Sequence, residues 1–415
     1  VTDGKGAFRE GSTVVSTDAG IVPAPAGAAP PANPSDNVNA PDHFLTFFST
    51  RDRLVFPAKN TDSRQGACQY YAAIGAVQGC GPGGELVGAQ LTFDGWKAKW
   101  GLDSPTAGFR ALYANSRDLD LERDMHGVTN ANGTAYYVCN YPHVRGGQPD
   151  TNLLNVQQGE NLVACVAMEH SPTPGVSGGQ PFTKFLVFRP GGQLLPSVNL
   201  DQRGEKFLPG VCVVCHGARH GFTRFDENGS MSPDLEAQFL PFDLDNFAYA
   251  ASSGPLSRAG QEAQFRNLNL TLLKTDPPPA LVELLNLWYP NPATSTFTDD
   301  AVPPGWAGKE ALYKGVVQRY CRTCHVAMTF IDQFGGALAF RRSSDFDEFT
   351  FELAHRACGV DGGEPRMRWS MPNSKVTFDE FWNDGAAVAA LQQYLLDRSE
   401  LQPGEVCVPP KAGGR

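Results

Sequence analysis

The chain has 415 residues and a formal net charge of −10, and Gly and Pro supply 44 and 32 of its positions. That length allows two or three domains of ordinary core size, and the Gly and Pro content predicts long loops of the kind found where bound groups fill space in place of side chains. The acidic balance argues against nucleic acid or an anionic membrane surface as partner and leaves a basic partner protein open; no apolar run approaches the roughly eighteen residues of a membrane span.

In chain order, residues 1–43 form a Pro/Ala-rich arm or linker. Its centre, AGIVPAPAGAAPPANPSDN, has no apolar periodicity, which predicts a tether or an extended arm, with a homo-oligomer or filament built through that arm as the sharper alternative. Residues 44–206 read as a mixed α and β domain with a mainly antiparallel sheet. Helical character falls at 66–77 and 93–100, and strand character at TAYYVCNY (134–141), NLVACVAMEH (161–170) and the run 182–200, which is broken by a Pro190-Gly191-Gly192 hairpin turn. Between them LDLERDMHGV reads as a charged loop carrying His126.

Residues 207–300 predict helices at 257–274 and 278–288, the second with Pro278 and Pro279 where a missing N–H costs least. Residues 301–415 are mainly helical. GWAGKEALYKGVVQRYCRTCH reads as one helix, SDFDEFTFELAHRAC as a second with an acidic start, and GAAVAALQQYLLDRSE as a closing helix with Ala387, Leu391, Tyr394 and Leu395 on one stripe. The fold class is therefore α+β and multidomain: a sheet-containing unit followed by two mainly α-helical segments.

Each helical segment carries a Cys-x-x-Cys-His pentapeptide, CVVCH at Cys212–His216 and CRTCH at Cys321–His325. This is the attachment signature of c-type haem, so two covalently attached haems are expected. Cys212, Cys215, Cys321 and Cys324 would form the thioethers, and His216 and His325 would be the proximal iron ligands. A thiol redox pair or a zinc site gives no reason for His to follow the second Cys both times. The other six cysteines suit three disulfides and imply an oxidising compartment. Pairing by sequence neighbours gives Cys68 with Cys80, Cys139 with Cys165 and Cys358 with Cys407, although other connectivities remain open. The chain starts at Val1 without the basic and apolar regions of a signal peptide and is expected to be a processed, exported form, periplasmic or extracellular.

A helix running into CRTCH, a Met-Pro loop at MRWSMPN and a closing helix make residues 301–401 resemble a class I cytochrome c domain. The resemblance implies that Met371 is the distal ligand of the second haem, its thioether stabilising ferrous iron; Met328, Met367 and His355 are the rivals. For the first haem His126 is the leading distal candidate, giving bis-imidazole coordination and a lower potential. Met231, His143, His170 or an open face are the alternatives, and His220 lies too close to His216 to turn round a porphyrin. Arg203, Arg219, Arg224 and Arg322 are candidate propionate partners, and Phe207, Phe222, Tyr320 and Trp382 candidate pocket walls.

These residues predict a dihaem c-type cytochrome that passes electrons between redox partner proteins outside the cytoplasm, with no catalytic residues. The alternative is a dihaem peroxidase-like enzyme with one open haem face and Glu169, His170 or His126 as distal acid or base. A surface protein that recognises a substrate through residues 44–206 is the third class.

Overall fold

The computed structural model describes residues 14–17, 20–23, 44–45, 63–104, 106–144, 151–217, 233–329, 337–360 and 368–410. Within the arm, β1 (Val14–Thr17) and β2 (Gly20–Pro23) pair as a short antiparallel hairpin, an element that the low-complexity composition did not predict.

The sheet that dominates the described residues has five antiparallel strands in sequence order, β5 (Phe109–Asn115), β6 (Leu121–Asn130), β7 (Gly133–Pro142), β8 (Ala164–Ser171) and β9 (Phe182–Phe188). A smaller hairpin, β3 (Val77–Cys80) with β4 (Leu86–Gln90), precedes it, and β10 (Ser197–Val198) pairs with β11 (Lys206–Phe207) after it. LDLERDMHGV is thus a strand and not the expected loop. Its charges are tolerated because each finds a partner: Glu122 accepts the N–H groups of Val144, Asn155 and Val156, Asp124 pairs with Arg110, and Arg123 with Asp118. Local polarity misleads wherever tertiary partners neutralise it.

Both sheet edges are closed by side chains, which removes the exposed ladder of an open edge. On β9 the Phe185 and Val187 N–H groups donate to the hydroxyls of Tyr70 and Tyr71, from α1 (Arg64–Ala73). On β5 the Leu112 N–H donates to Gln261 Oε1 at 2.7 Å while Gln261 Nε2 donates back to the Leu112 carbonyl; Gln261 lies on α5 (Arg258–Thr271). Helix α1 is capped by the Ser63 hydroxyl, α2 (Phe93–Trp100) by Thr92 and α5 by Ser257, each accepting the N–H three residues on.

Helix α2 packs Trp96 and Trp100 on the outer face of the sheet, where they bury Glu169: both indole N–H groups, Lys99, Lys184 and the Ser171 hydroxyl all reach its carboxylate. The inner face is covered by α4 (Gly210–His216), α5 and α6 (Pro279–Trp288). One apolar core runs from Leu45 to Val326 and includes Val211, Val213, Leu268 and Trp288, so residues 207–300 share the core of the sheet and do not close one of their own. The short α3 (Leu154–Gln158) is held at its start by Glu122.

A second core joins Phe44, Trp306, Val316, Phe346, Phe381 and Leu395. The expected helix into the second pentapeptide runs as α7 (Glu310–Leu312), a π-helical stretch Tyr313–Cys321 and α8 (Arg322–His325). The expected helix 344–358 is divided into α9 (Ser343–Asp347), α10 (Thr350–Glu352) and a π turn Leu353–Ala357. Helix α11 (Lys375–Asn383), absent from the sequence reading, precedes α12 (Gly385–Asp397), whose buried residues are Ala387, Leu391, Tyr394 and Leu395. The disulfides are Cys68–Cys80, Cys139–Cys165 and Cys358–Cys407, the three neighbour pairings. No helix among the described residues is long and apolar enough to cross a membrane.

Candidate functional site

The short helix α4 buries Val211, Val213 and Val214, and the i, i+3 spacing turns Cys212 and Cys215 to one side, where both line a chamber together with His216. The His216 Nδ1–H donates to the Gln238 carbonyl at 2.9 Å, which fixes the tautomer and leaves Nε2 as the lone-pair nitrogen. At the second pentapeptide His325 repeats the device, Nδ1–H donating to the Leu338 carbonyl at 2.7 Å with its ring stacked on Phe340 at 4.4 Å. Burial pushes both imidazoles down to about 4, so they are neutral donors near neutral pH. All four pentapeptide cysteines stand outside the disulfides, and burial raises Cys212 and Cys321 well above the ordinary thiol value.

The chamber is a cavity of about 170 Å³. Its floor is the inner face of the sheet: Tyr113 from β5, Arg123 and Met125 from β6, Val138 from β7, Val166 and Met168 from β8, and Phe185 and Val187 from β9. Its roof is α4 with Phe239, Phe242 and Phe247. Thr323 and Ser374, which also line it, come from residues 301–415, and Leu45, of the first core, lines it too. Apolar walls, two cysteines and one orientated imidazole suit a covalently held haem, for which Cys212 and Cys215 would be the attachment points and His216 an axial ligand.

The two pentapeptides meet. Helix α4 packs on α8, and the neighbouring Cys215 thiol, with burial, raises that of Cys324 well above the usual thiol value. Gly217, immediately after His216, has φ +68° and ψ 158°, and a Cβ there would stand 2.7 Å from the Ala327 carbonyl oxygen. Only glycine permits that approach.

Two buried ion pairs flank the junction. Arg322 donates from Nε to Asp243 at 2.9 Å and from Nη1 to the Tyr313 hydroxyl, and its guanidinium lies 5.3 Å from the Trp288 ring centroid. It is thereby committed to joining the second pentapeptide to residues 233–247 and is not directed to a propionate. Arg123 pairs with Asp118 at 3.1 Å; burial holds the Asp118 carboxyl above its ordinary value although Arg123 pulls it down.

At the second site Met371 packs, half-buried, on the second core. Its loop is pinned from three sides: the Met371 N–H donates to the Arg356 carbonyl at 3.1 Å, Trp369 Nε1 donates to the Val408 carbonyl beside the Cys358–Cys407 bridge, and the Leu45 N–H donates to the Asn373 carbonyl at 3.0 Å. Of its rivals, Met328 directly follows α8 with its N–H bonded to the His325 carbonyl, and His355 is buried with Nδ1–H donating to the Val360 carbonyl at 3.0 Å. Met367 lies outside the described residues, as do Met231, His220, Arg219, Arg224 and Phe222.

The chamber does not contain His126. The strand's alternation sends Arg123 and Met125 inward and Asp124 and His126 outward, where His126 bonds Asp124 at 2.9 Å and stacks on Tyr137 at 4.4 Å. Glu169 also faces outward, in its cage of indoles and lysines. Burial alone would raise its carboxyl, but Lys99, Lys184 and the Ser171 hydroxyl hold it below the ordinary value; burial lowers Lys184 in turn, so the carboxylate is the better satisfied member. His143 is tied to Asp120 at 2.6 Å and to the Thr151 hydroxyl, and His170 sits at the end of β8 with Nε2 3.8 Å from the exposed Asp276. Arg203 lies over the Phe44 ring, Tyr320 donates to Asp384 at 2.8 Å, and Trp382 belongs to the second core; neither these nor Phe207 line the chamber.

The sequence reading missed the chamber's own residues, Met125 and Met168 above all. The period-2 alternation Leu121, Arg123, Met125 was the available signal. Among the described residues no set of three or more His, Cys, Asp or Glu converges as a metal cage; a haem needs none, since the porphyrin supplies four nitrogens and the protein only the axial donors. Comparison with known protein families, with curated proteins and with solved structures gives no match to this chain.

Proposed function

We propose that this protein is a dihaem c-type cytochrome that carries electrons, and the observation that supports this best is the junction of the two pentapeptides. A bound haem supplies one-electron redox chemistry at iron; the chain supplies attachment thiols, orientated imidazoles, dry walls and proximity. Because each thioether ties a porphyrin edge to its sulfur, adjoining Cys215 and Cys324 would anchor both haems at one place. Such an arrangement serves passage of electrons between them.

The chamber's lining supports a carrier over the peroxidase-like alternative. Of the three acid and base candidates, Glu169 and His126 lie on the outer face of the sheet, each engaged with its own partners, and His170, on the inner face at the end of β8 beside Asp276, is not among the described residues lining the chamber. The three disulfides fit an oxidising, extracytoplasmic compartment, and the acidic surface suits a basic redox partner. The arm's hairpin adds nothing that selects a filament over a tether.

The test is a haem count per chain with optical and EPR spectra of the purified protein, oxidised and reduced, with carbon monoxide added to the ferrous form. Two low-spin haems that do not bind carbon monoxide are expected. A high-spin, carbon monoxide-binding haem in the unaltered protein, accompanied by peroxide turnover, would replace this reading with the enzymatic one.

A further inference from the structure

We infer that the axial ligand opposite His216 is the thioether of Met168, presented by the floor of the sheet; this rests on the dihaem reading above. Apart from His216 and the two attachment cysteines, the described chamber lining holds no imidazole and no thiol. Its remaining side chains able to bind iron are the carboxylates Asp118 and Asp243, taken by the buried Arg123 and Arg322, phenols, and two methionine sulfurs. The phenols are committed: the Tyr136 hydroxyl donates to the Leu268 carbonyl at 2.8 Å, and Tyr113 neighbours the Arg123–Asp118 pair, with burial pushing it up to about 12. A phenol so far from ionisation is a poor ligand, whereas a thioether needs no deprotonation.

Register chooses between the two sulfurs. Met168 pairs directly with Phe185 across β8 and β9, and the Phe185 ring lies 5.4 Å from the His216 imidazole. Paired residues on one face have Cβ atoms about 4.5–5.5 Å apart, so Met168 stands immediately beside the group that touches the proximal ligand. Met125 belongs to the row Met125, Val138, Val166, Val187, which puts it on β6, two strand spacings of about 4.8 Å each beyond β8. Both methionines are buried, 8% exposed, and neither has the exposed, polar surroundings of an incidental surface side chain.

The consequence is electronic. With His/Met coordination at the first haem the low-potential bis-imidazole site expected from His126 disappears, and the two irons would sit close in potential if Met371 serves the second. A pair of near-equal potentials lets an electron cross the Cys215–Cys324 junction in either direction, which a large gap would forbid.

The experiment uses the full chain carrying both haems, with Met168→Leu, Met125→Leu and His126→Ala made separately. Leu for Met keeps volume and apolarity, so folding is preserved. Met168→Leu alone is expected to open the first haem, giving a high-spin signal and one carbon monoxide bound per chain, while Met125→Leu and His126→Ala stay low-spin. Met168→His, a second probe at the same place, is expected to restore a low-spin haem at lower potential. A carbon monoxide-binding haem in Met125→Leu or His126→Ala, or none in Met168→Leu, overturns the assignment. The haem count and the carbon monoxide response of the unaltered protein test the dihaem reading separately, because they do not depend on which residue ligates.

Discussion

The two Cys-x-x-Cys-His helices end against different materials. The first points its imidazole across a chamber floored by a five-stranded sheet and lies inside the larger core, with the sheet edges closed by Tyr70, Tyr71 and Gln261. The second ends in a helical cluster against which the loop Trp369–Asn373 packs, tied by three hydrogen bonds, one of them to Val408 beside the Cys358–Cys407 bridge. Yet both proximal histidines are set in the same way, Nδ1–H to a backbone carbonyl. The pentapeptide sets the histidine and its carbonyl partner; what surrounds it is left to the fold, a sheet in the first case and a helical cluster in the second.

The contrast can be broken at its hinge. Asp243→Ala leaves the buried Arg322 without its carboxylate at the contact between the halves, and removing one partner of a buried pair costs about 3–5 kcal/mol. The denaturation midpoint should fall accordingly, and electron exchange between the haems should slow. Equal midpoints in the variant and the unaltered protein would show that the pair does not join the two regions.

Next in size, Cys358→Ser with Cys407→Ser should act on the second region only. A native disulfide contributes about 2–4 kcal/mol, and its loss frees the Trp369 anchor beside Met371. The spectrum of the second haem should then change while that of the first does not; a change confined to the first would mean that the loop is not the second distal wall.

Gly217→Val probes the junction itself. The backbone region occupied at φ +68° and ψ 158° is open almost solely to glycine, and a side chain there costs about 1–3 kcal/mol before the clash with Ala327 is counted. Stability should drop by that order and the coupling between the two haems, read from their EPR line shapes, should weaken; unaltered coupling would show that the pentapeptides need not touch.

The smallest effect is a pH dependence specific to the sheet. Because Lys99 and Lys184 hold the Glu169 carboxyl below its unfolded value of about 4.3, its contribution is complete above that value and is lost as the pH falls through the lower folded one. Melting of the unaltered protein should therefore fall more steeply below pH ~4 than that of Glu169→Gln, with the second haem's spectrum the last to change. Parallel curves for the two proteins would remove the carboxylate cage as the source.

Much of the helical half could be read directly. The stripe Ala387, Leu391, Tyr394, Leu395 is the buried face of α12, and residues 93–100 form the expected helix, because a 3.6-residue periodicity and a side-chain cap are local signals. Strand β6 could not be read in the same way: Glu122, Arg123 and Asp124 look like a loop until Asn155, Asp118 and Arg110 arrive from elsewhere to pair with them. His126 was drawn toward the iron by its chemistry, although its one-residue offset from Met125 sends it to the opposite face.

The sequence alone determined the two Cys-x-x-Cys-His pentapeptides and their candidate thiols and imidazoles, since these depend on residue type and short spacing, and it offered the neighbour pairing of the other six cysteines that the structure has. Which side chains line the chamber beside His216, whether the two pentapeptides touch, and which charges are buried in pairs were decided by strand register and by packing between residues far apart in the chain. Those contacts carry no local signature, because the free energy that holds them comes from burial and pairing that exist only once the sheet and the helices have met.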